Sequence, residues 1–139
     1  ALGRSAPMNI IVKSTSAFKA IMTTIPDLEG KIQSHSYRVP TSIVSASTVM
    51  LNVNKEVRKE ELVNIFTNAS RNQEYDIIKN SEEPLTAIDY RKENFSVVVD
   101  HRWTDINNKR LIKMHYWYDN EWGYSCRTLD LIKEINKKY

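Results

Sequence analysis

Apolar residues recur at i, i+3, i+4 and i+7 in residues 14–26 and 58–72, and an apolar stripe of Tyr124, Leu129, Ile132 and Ile135 runs through about 122–137. This spacing places the apolar side chains on one face of a helix. Pro26 stops the first pattern, and Glu60 and Glu61 fall in the first turn of the second, where the helix dipole favours acidic residues. The sequence therefore predicts three helices, the last of them at the end of the chain.

Strand patterns fill most of the remaining sequence. Apolar and polar residues alternate around Val49 and Leu51, and β-prone runs follow at residues 75–79, 85–90, 95–101 and 110–118. The last two runs are joined by "RWTDINNK", whose Asp and Asn residues suit a hairpin. This order predicts an α+β fold, with a largely antiparallel mixed sheet and helices on one face. A length of 139 residues suits one domain over residues 1–139.

Composition and charge exclude several classes of function. The net charge is only +3, and no run of Lys and Arg is longer than two, so no nucleic-acid interface is expected. The apolar runs are too short for a membrane span. The single cysteine, Cys126, excludes an internal disulfide and fits a reducing, cytoplasmic location. No metal site is expected, because His35, His101 and His115 lack ligand spacing.

Two features are candidates for binding an anion. Ser14, Thr15 and Ser16 precede the first helix, and such hydroxyls either cap the helix or help its free N–H groups hold a phosphate. Arg38 follows a short strand-like segment and precedes a turn. An arginine there is either a surface ion-pair partner or a planar donor for the same phosphate. The residues alone leave both alternatives open.

The segment "WYDNEWGYS" at residues 117–125 is dense in aromatic, acidic and amide side chains. Such a density has two explanations, either an aromatic corner of the core or a site that holds a flat polar ligand. Composition does not separate them.

Four segments, taken in order, resemble motifs of the glyceraldehyde-3-phosphate dehydrogenases. They are "NIIVKSTSAFKAI", "IPDLEGKI", "YRVPTSIVS" and "WYDNEWGYS". The likeness runs from about residue 3 to residue 135 and covers the C-terminal catalytic domain of that family. It therefore implies the fold of that domain for this chain.

The resemblance also implies phosphate-binding roles. The positions that help to bind the phosphate of the substrate and the attacking inorganic phosphate correspond here to Thr15 and Arg38. Ser16 stands where the family has a glycine, and its side chain would either crowd the anion or add a hydroxyl donor. Arg4 matches a further arginine in the loop before the first helix. The implied partner is phosphate or a phosphorylated aldehyde.

For the cofactor, the resemblance points to the motif near the end of the chain. Asn120 matches the asparagine that binds the nicotinamide carboxamide, and Tyr124 matches the tyrosine beside that ring. An Asn side chain offers both the donor and the acceptor that a carboxamide requires. NAD is thus implied for the complete enzyme, but no tight binding is expected from this chain alone.

No catalytic residue is expected within these residues. The family's nucleophilic cysteine and its histidine correspond to positions before Ala1, and Cys126 matches an ordinary helix residue. A Gly-rich dinucleotide turn is excluded because glycine occurs only at positions 3, 30 and 123.

The expected function is that of the C-terminal catalytic-domain portion of an NAD-dependent phosphorylating glyceraldehyde-3-phosphate dehydrogenase of glycolysis, inactive as an isolated chain. One alternative is a free-standing, catalytically dead relative that acts as a binding or oligomerisation module. Another is an erythrose-4-phosphate dehydrogenase-type enzyme. The terminal helix at about 122–137 is expected to pack on a missing cofactor domain or on a partner chain, and a homo-oligomer is expected.

Overall fold

The structure, a computed structural model, describes residues 8–138. Contacts divide the chain into two compact units, one ending at Ser42 and the other beginning at Ile43. The prediction of a single domain over residues 1–139 stays a prediction. No helix among residues 8–138 is long and apolar enough to cross a membrane.

The first unit is built on a short antiparallel ribbon. Its strands are β1 (Ile11–Lys13) and β2 (Ser36–Arg38), with helix α1 (Ala17–Thr24) and a 3-10 turn between them. In the ribbon Ile11 lies opposite Arg38. Because the strands are antiparallel, Arg38 leaves the ribbon at the end where β1 begins, and α1 follows from the other end.

The second unit contains a four-stranded sheet and two helices. Its elements are β3 (Ser45–Asn52), α2 (Lys59–Arg71), β4 (Ile78–Ser81), β5 (Val97–Asn107), β6 (Leu111–Tyr118) and α3 (Trp122–Asn136). The strand order is β3-β6-β5-β4; β4 runs parallel to β5, and the other pairs are antiparallel. The predicted α+β fold with a largely antiparallel mixed sheet is confirmed.

The prediction of a strand at residues 85–90 is wrong. Ala87–Tyr90 form a 3-10 helix instead. Both the backbone N–H and the hydroxyl of Thr86 donate to Asp89 Oδ2, at 2.8 and 3.1 Å. Side-chain hydrogen bonds over three residues stabilise a turn at the expense of an extended chain, which the β-prone composition of the segment conceals.

The hairpin between β5 and β6 is tighter than its sequence indicates. β5 continues through most of the predicted connection, and Asn107 pairs with Leu111. Asn108 and Lys109 adopt positive φ angles of 49° and 58°. Asparagine tolerates the left-handed region better than most residues, so the turn is built where the sequence allows it.

Both faces of the sheet carry a core. On one face, Leu62 of α2 packs with Ile112 and Met114 of β6. On the other, Val44, Tyr90 and Val98 form a second cluster, against which Trp117 packs. Successive residues of β6 project to opposite faces, so this single strand contributes to both cores.

Gln73 covers part of the edge of the sheet at β4. Its amide nitrogen donates to the carbonyl of Ile78, and its amide oxygen accepts the N–H of Ile78, both at 2.8 Å. A glutamine amide has the same donor and acceptor as a peptide group, so Gln73 imitates one residue of a neighbouring strand.

Candidate functional site

Asp119 fixes the turn between β6 and α3. Its side chain is almost fully buried, with the residue 4% exposed. Oδ1 accepts the N–H groups of Glu121 and Trp122, at 2.9 and 2.8 Å, and Oδ2 accepts the N–H of Lys92 at 2.9 Å. Burial alone would raise the pKa of Asp119, but these three donors lower it below its ordinary value. The carboxylate therefore holds the turn in place through three backbone hydrogen bonds.

Trp117 is a core residue. Its Nε1 donates to Asp100 Oδ2 at 3.1 Å, and its ring stacks on Tyr90 at 5.4 Å between centroids. Asp100 is fully buried and paired with Arg102, whose Nε and Nη2 lie 2.8 and 2.6 Å from its two oxygens. Burial raises the pKa of Asp100, but the hydrogen bonds from Arg102 and Trp117 lower it further, with a net decrease. The core-corner interpretation of the motif is thus correct for Trp117.

Gly123 allows α3 to begin against the backbone of the chain before β5. A Cβ atom at Gly123 would lie 2.9 Å from the carbonyl oxygen of Phe95. The neighbouring Trp122 donates from Nε1 to Asn94 Oδ1 at 2.7 Å. Glycine is therefore needed here for a close approach, and the tryptophan ties the first turn of α3 to the same loop.

Replacing Gly123 with alanine is expected to destabilise the second unit by about 1–3 kcal/mol, because the backbone at Phe95 cannot yield as a side chain would. Urea unfolding followed by circular dichroism measures the change. Ser125→Ala, two residues along the same helix, is the control and should change stability by less than about 0.5 kcal/mol. Equal stability of Gly123→Ala and the control would contradict the close contact.

Asn120 is exposed and reaches back to the start of β3. Its Nδ2 donates to Ser45 Oγ at 2.6 Å. Val44, the residue before Ser45, has a φ angle of 72°. This backbone conformation is unfavourable for a β-branched residue by about 1–3 kcal/mol. Val44 is buried beside Tyr90 and Val98, and this packing holds the strained backbone in place.

Tyr124 lies in the first turn of α3 and is 77% exposed. Of the motif at 117–125, then, Trp117 packs against the core and Asp119 and Gly123 build the turn, whereas Asn120 and Tyr124 are exposed. Asn120 and Tyr124, which the resemblance assigns to cofactor binding, are two of six exposed residues in the motif, together with Tyr118, Glu121, Trp122 and Ser125. The ligand-site explanation of the motif stays a prediction.

The predicted phosphate-binding residues lie in the first unit, except that Arg4 falls outside the described residues. Thr15, one residue before the N-cap position, accepts the N–H of Ala17 on its Oγ1 at 3.2 Å, so its hydroxyl contacts the backbone at the helix start. Ser16 is exposed and makes no side-chain capping bond. Arg38 is exposed and lies opposite Ile11, at the end of the three-residue ribbon where β1 begins.

Lys13 is a cationic residue that sequence reasoning missed. It lies opposite Ser36 in the ribbon, two residues from Ile11, which faces Arg38. Residues two apart on a strand share a face, as do directly paired residues, so Lys13 and Arg38 lie on the same face of the ribbon. The local sequence carries no signal for this pairing, which depends on the register of the two strands. Within the described part of the chain, no three His, Cys, Asp or Glu side chains are grouped as metal ligands.

The profile of the family described as glyceraldehyde 3-phosphate dehydrogenase, C-terminal domain, matches residues 2–120. The match covers most of the chain. The chain belongs to the glyceraldehyde-3-phosphate dehydrogenase family. Its β3-β6-β5-β4 sheet and its helices are those of a C-terminal domain of this family.

Curated relatives carry the same family name. Glyceraldehyde-3-phosphate dehydrogenase 2 of Bacillus subtilis is 36% identical over 132 residues, which are 95% of this chain and 39% of the relative. The enzyme of Sclerotinia sclerotiorum is 37% identical over 135 residues, 97% of this chain and 40% of the relative. A glyceraldehyde-3-phosphate dehydrogenase 2 of Nostoc is 38% identical over 136 residues, which are 98% of this chain and 40% of the relative. The chain thus spans about two-fifths of the length of these relatives.

Membership of a dehydrogenase family implies NAD for the full enzyme, and the exposed residues fit one part of it. Asn120 offers an amide oxygen and a second amide hydrogen beyond the one that Ser45 accepts, and Tyr124 offers an exposed ring. A carboxamide-bearing aromatic ring matches these groups. The glycines at 3, 30 and 123 do not form a dinucleotide-binding turn. The residues present fit the nicotinamide end alone.

Cys126 is half-buried within α3, and its Sγ lies 3.8 Å from Asn94 Oδ1. That contact ties it to the loop that also receives the indole of Trp122. Among residues 8–138 the recorded partner of this thiol is Asn94, whereas an activated thiol is paired with a histidine.

Proposed function

We propose that the chain is the C-terminal catalytic-domain portion of an NAD-dependent phosphorylating glyceraldehyde-3-phosphate dehydrogenase. The observation that carries the proposal is the turn after β6, where the buried Asp119 holds the backbone and Asn120 stays exposed on it. A rigid turn with one presented amide is suited to binding a ligand amide.

In this proposal Asn120 binds the carboxamide of nicotinamide and Tyr124 lies beside the ring. NAD, when bound, supplies the acceptor for the hydride that leaves the aldehyde carbon. The residues of this chain orient the nicotinamide ring, while the nucleophile and the general base come from outside these residues. In this proposal the isolated chain contributes one side of the nicotinamide site and has no catalytic activity.

The first unit is proposed to hold phosphate groups. Thr15 and Ser16 lie at the start of α1, whereas Arg38 lies at the other end of the β1–β2 ribbon. Hydroxyls at a helix start and an arginine guanidinium are both groups that bind phosphate oxygens. Lys13, on the same face as Arg38, adds positive charge to that face. Arg4 is also proposed to bind phosphate, and this assignment rests on the family resemblance alone.

The outer stripe of α3 supports a further contact in the assembled enzyme. Leu129, Ile132 and Ile135 are each about half exposed. A row of exposed apolar residues on one helix is typical of a surface that another protein segment covers. We propose that it packs on the rest of a longer protein or on a second copy in a homo-oligomer.

Inorganic phosphate tests the anion sites of the chain. Saturating phosphate, at about 100 times its dissociation constant, is expected to stabilise the protein by roughly 2.7 kcal/mol, seen as a higher melting temperature. Arg38→Ala should reduce this gain, and Lys31→Ala, an exposed cation of the same unit, should not. A phosphate response that is absent, or unchanged by Arg38→Ala, would overturn the anion-binding part of the proposal.

The mass of the native protein separates this proposal from a free-standing module. A mass well above the 16.2 kDa of these residues, in a protein that reduces NAD with glyceraldehyde 3-phosphate and phosphate, supports the dehydrogenase. A native protein of this mass, without that activity, would support the free-standing module.

A further inference from the structure

The turn after β6 is held by residues 85–95, a segment that we call the strap. The N–H of Lys92 donates to Asp119 Oδ2 at 2.9 Å, and Asn94 Oδ1 accepts the indole N–H of Trp122 at 2.7 Å. The ammonium group of Lys92 also lies 5.9 Å from the centre of the Trp122 ring. The strap and the turn therefore cannot separate without losing all of these contacts.

Tyr90 is the one buried residue of the strap. It is 2% exposed, stacks on Trp117 with 5.4 Å between the ring centroids, and packs in the cluster of Val44 and Val98. The other residues of the strap are exposed or half-buried. The strap is therefore held against the sheet mainly by a single side chain, and a segment with so little buried surface opens more readily than the strands beneath it.

The hydroxyl of Tyr90 is buried without a hydrogen-bond partner among residues 8–138. Burial raises the pKa of Tyr90, and Ser81 opposes this shift, but the two hydroxyls do not have the geometry of a hydrogen bond. A buried hydroxyl without a partner has lost its hydrogen bonds to water, which destabilises the closed strap. Opening the strap returns this hydroxyl to water.

An exposed contact fastens the start of the strap. Both the N–H and Oγ1 of Thr86 donate to Asp89 Oδ2, at 2.8 and 3.1 Å, and both residues are exposed. These hydrogen bonds stabilise the 3-10 helix that ends at Tyr90. Arg102 Nη2 donates to the carbonyl of Leu85 at 3.1 Å. That bond attaches the first residue of the strap to the sheet, so the rest of the strap has a fixed point from which to open.

We propose that the strap is a conformational device that opens together with the turn after β6. The contact between Thr86 and Asp89 is its latch, and the unpaired hydroxyl of Tyr90 favours opening. When the strap opens, the N–H of Lys92 leaves Asp119 and the turn loosens. The opening is a property of the chain without ligand, whereas its effect on ligand binding rests on the proposed function.

Amide hydrogen exchange, followed by NMR on the 139-residue chain without ligand, tests this opening. The N–H groups of Lys92, Glu121 and Trp122 all donate to Asp119, so one opening should expose all three. Their protection should agree within about 3-fold and lie at least about 10-fold below that of the amides in the centre of β6. Protection equal to that of β6, or widely different among the three amides, would overturn the proposal.

Ile112→Val separates a local opening from global unfolding. Ile112 lies in the core cluster of Leu62 and Met114, on the face of the sheet away from the strap. The substitution weakens the closed and the open strap equally, so only global unfolding becomes easier. Exchange in the centre of β6 should become about 5-fold faster, while the three amides bonded to Asp119 stay unchanged. If these amides accelerate as β6 does, they exchange by global unfolding and the strap does not open by itself.

Tyr90→Phe should close the strap more firmly. It keeps the ring that stacks on Trp117 and removes the unpaired hydroxyl. Exchange of the same three amides should become about 5-fold slower. Tyr118→Phe removes the hydroxyl of a tyrosine that is 36% exposed and should leave exchange unchanged. Exchange that is equal or faster in Tyr90→Phe would show that the hydroxyl does not favour opening.

Asp89→Ala should open the latch. It removes the acceptor of both hydrogen bonds from Thr86, so the three amides should exchange about 10-fold faster. Asp89→Asn keeps an acceptor oxygen and should restore most of the protection. Asp105→Ala makes the same change at an exposed aspartate of the β5–β6 hairpin and should have no effect on these amides. Unchanged exchange in Asp89→Ala would overturn the latch.

Discussion

Replacing Asp119 with alanine is expected to destabilise the second unit by about 3–5 kcal/mol. The change removes the acceptor for three backbone N–H groups, those of Lys92, Glu121 and Trp122, in a place where water has little access. Hydrogen bonds to a charged group contribute about 1.5–3 kcal/mol each, and unsatisfied buried donors add a desolvation cost. Chemical unfolding at pH 7 measures the loss, and the Asn120 amide signals should broaden as the turn loosens.

Two comparisons sharpen the Asp119 experiment. Asp105→Ala removes an exposed aspartate of the β5–β6 hairpin and should cost less than about 1 kcal/mol. Asp119→Asn keeps one acceptor oxygen and should fall between. A loss below about 1 kcal/mol for Asp119→Ala would mean that the turn does not depend on the carboxylate.

Acid should remove the contribution of Asp119 in a defined window. The pKa of Asp119 is lowered in the folded chain, so the folded chain binds fewer protons than the unfolded chain does. The stabilisation is fully present above the unfolded pKa, about 4, and is lost as the pH falls through the lowered folded value. The difference in stability between the unaltered chain and Asp119→Asn should shrink below pH about 4 and stay constant above it.

Replacing Arg102 with alanine is expected to cost about 3–5 kcal/mol at pH 7. Asp100 is fully buried, and Arg102 donates to both of its oxygens. Removing one partner of a buried pair leaves an uncompensated charge, which is more costly than losing the pair as a whole. The pKa of Asp100 should then rise, so the destabilisation should lessen at mildly acidic pH. Unfolding curves at pH 7 and at pH about 5 make this comparison.

The matched control for Arg102 is Arg110→Ala, an exposed arginine of the hairpin, which should change stability by less than about 0.5 kcal/mol. A double change, Asp100→Leu with Arg102→Met, should be less harmful than Arg102→Ala alone, because it leaves no buried charge. Near-ultraviolet circular dichroism adds a local readout, since Trp117 donates to Asp100 and stacks on Tyr90. If Arg102→Ala matches Arg110→Ala in stability, the ion pair does not support the fold.

The helices and the central hairpin could be predicted from periodicity because their own packing faces create the pattern. Predicted helix bounds of about 122–137 compare with Trp122–Asn136 in the structure. The segment at 85–90 was mispredicted because the hydrogen bonds of Thr86 to Asp89 outweigh its β-prone composition. The parallel pairing of β4 with β5 depends on contacts across the sheet, which a local pattern does not encode.

The residues of the site that belong to one contiguous motif could be predicted from the sequence. Those whose roles depend on partners distant in sequence could not. Asn120 and Tyr124 stand out in the sequence through their resemblance to the family, and their exposure agrees with a binding role. The roles of Asp119 and Ser45 depend on partners that lie 27 and 75 residues away along the chain. Likewise, only the register of β1 and β2 reveals that Lys13 shares a face with Arg38.

The amide of Gln73 protects the outer edge of β4 at Ile78. At β4 it already occupies the hydrogen-bonding groups of Ile78, so a further strand would have to displace it before pairing there. β3 ends the strand order on the other side, with eight residues in extended conformation. Pairing of a further strand at Ile78 therefore carries the cost of breaking two hydrogen bonds, a cost that the sequence of β4 alone does not reveal.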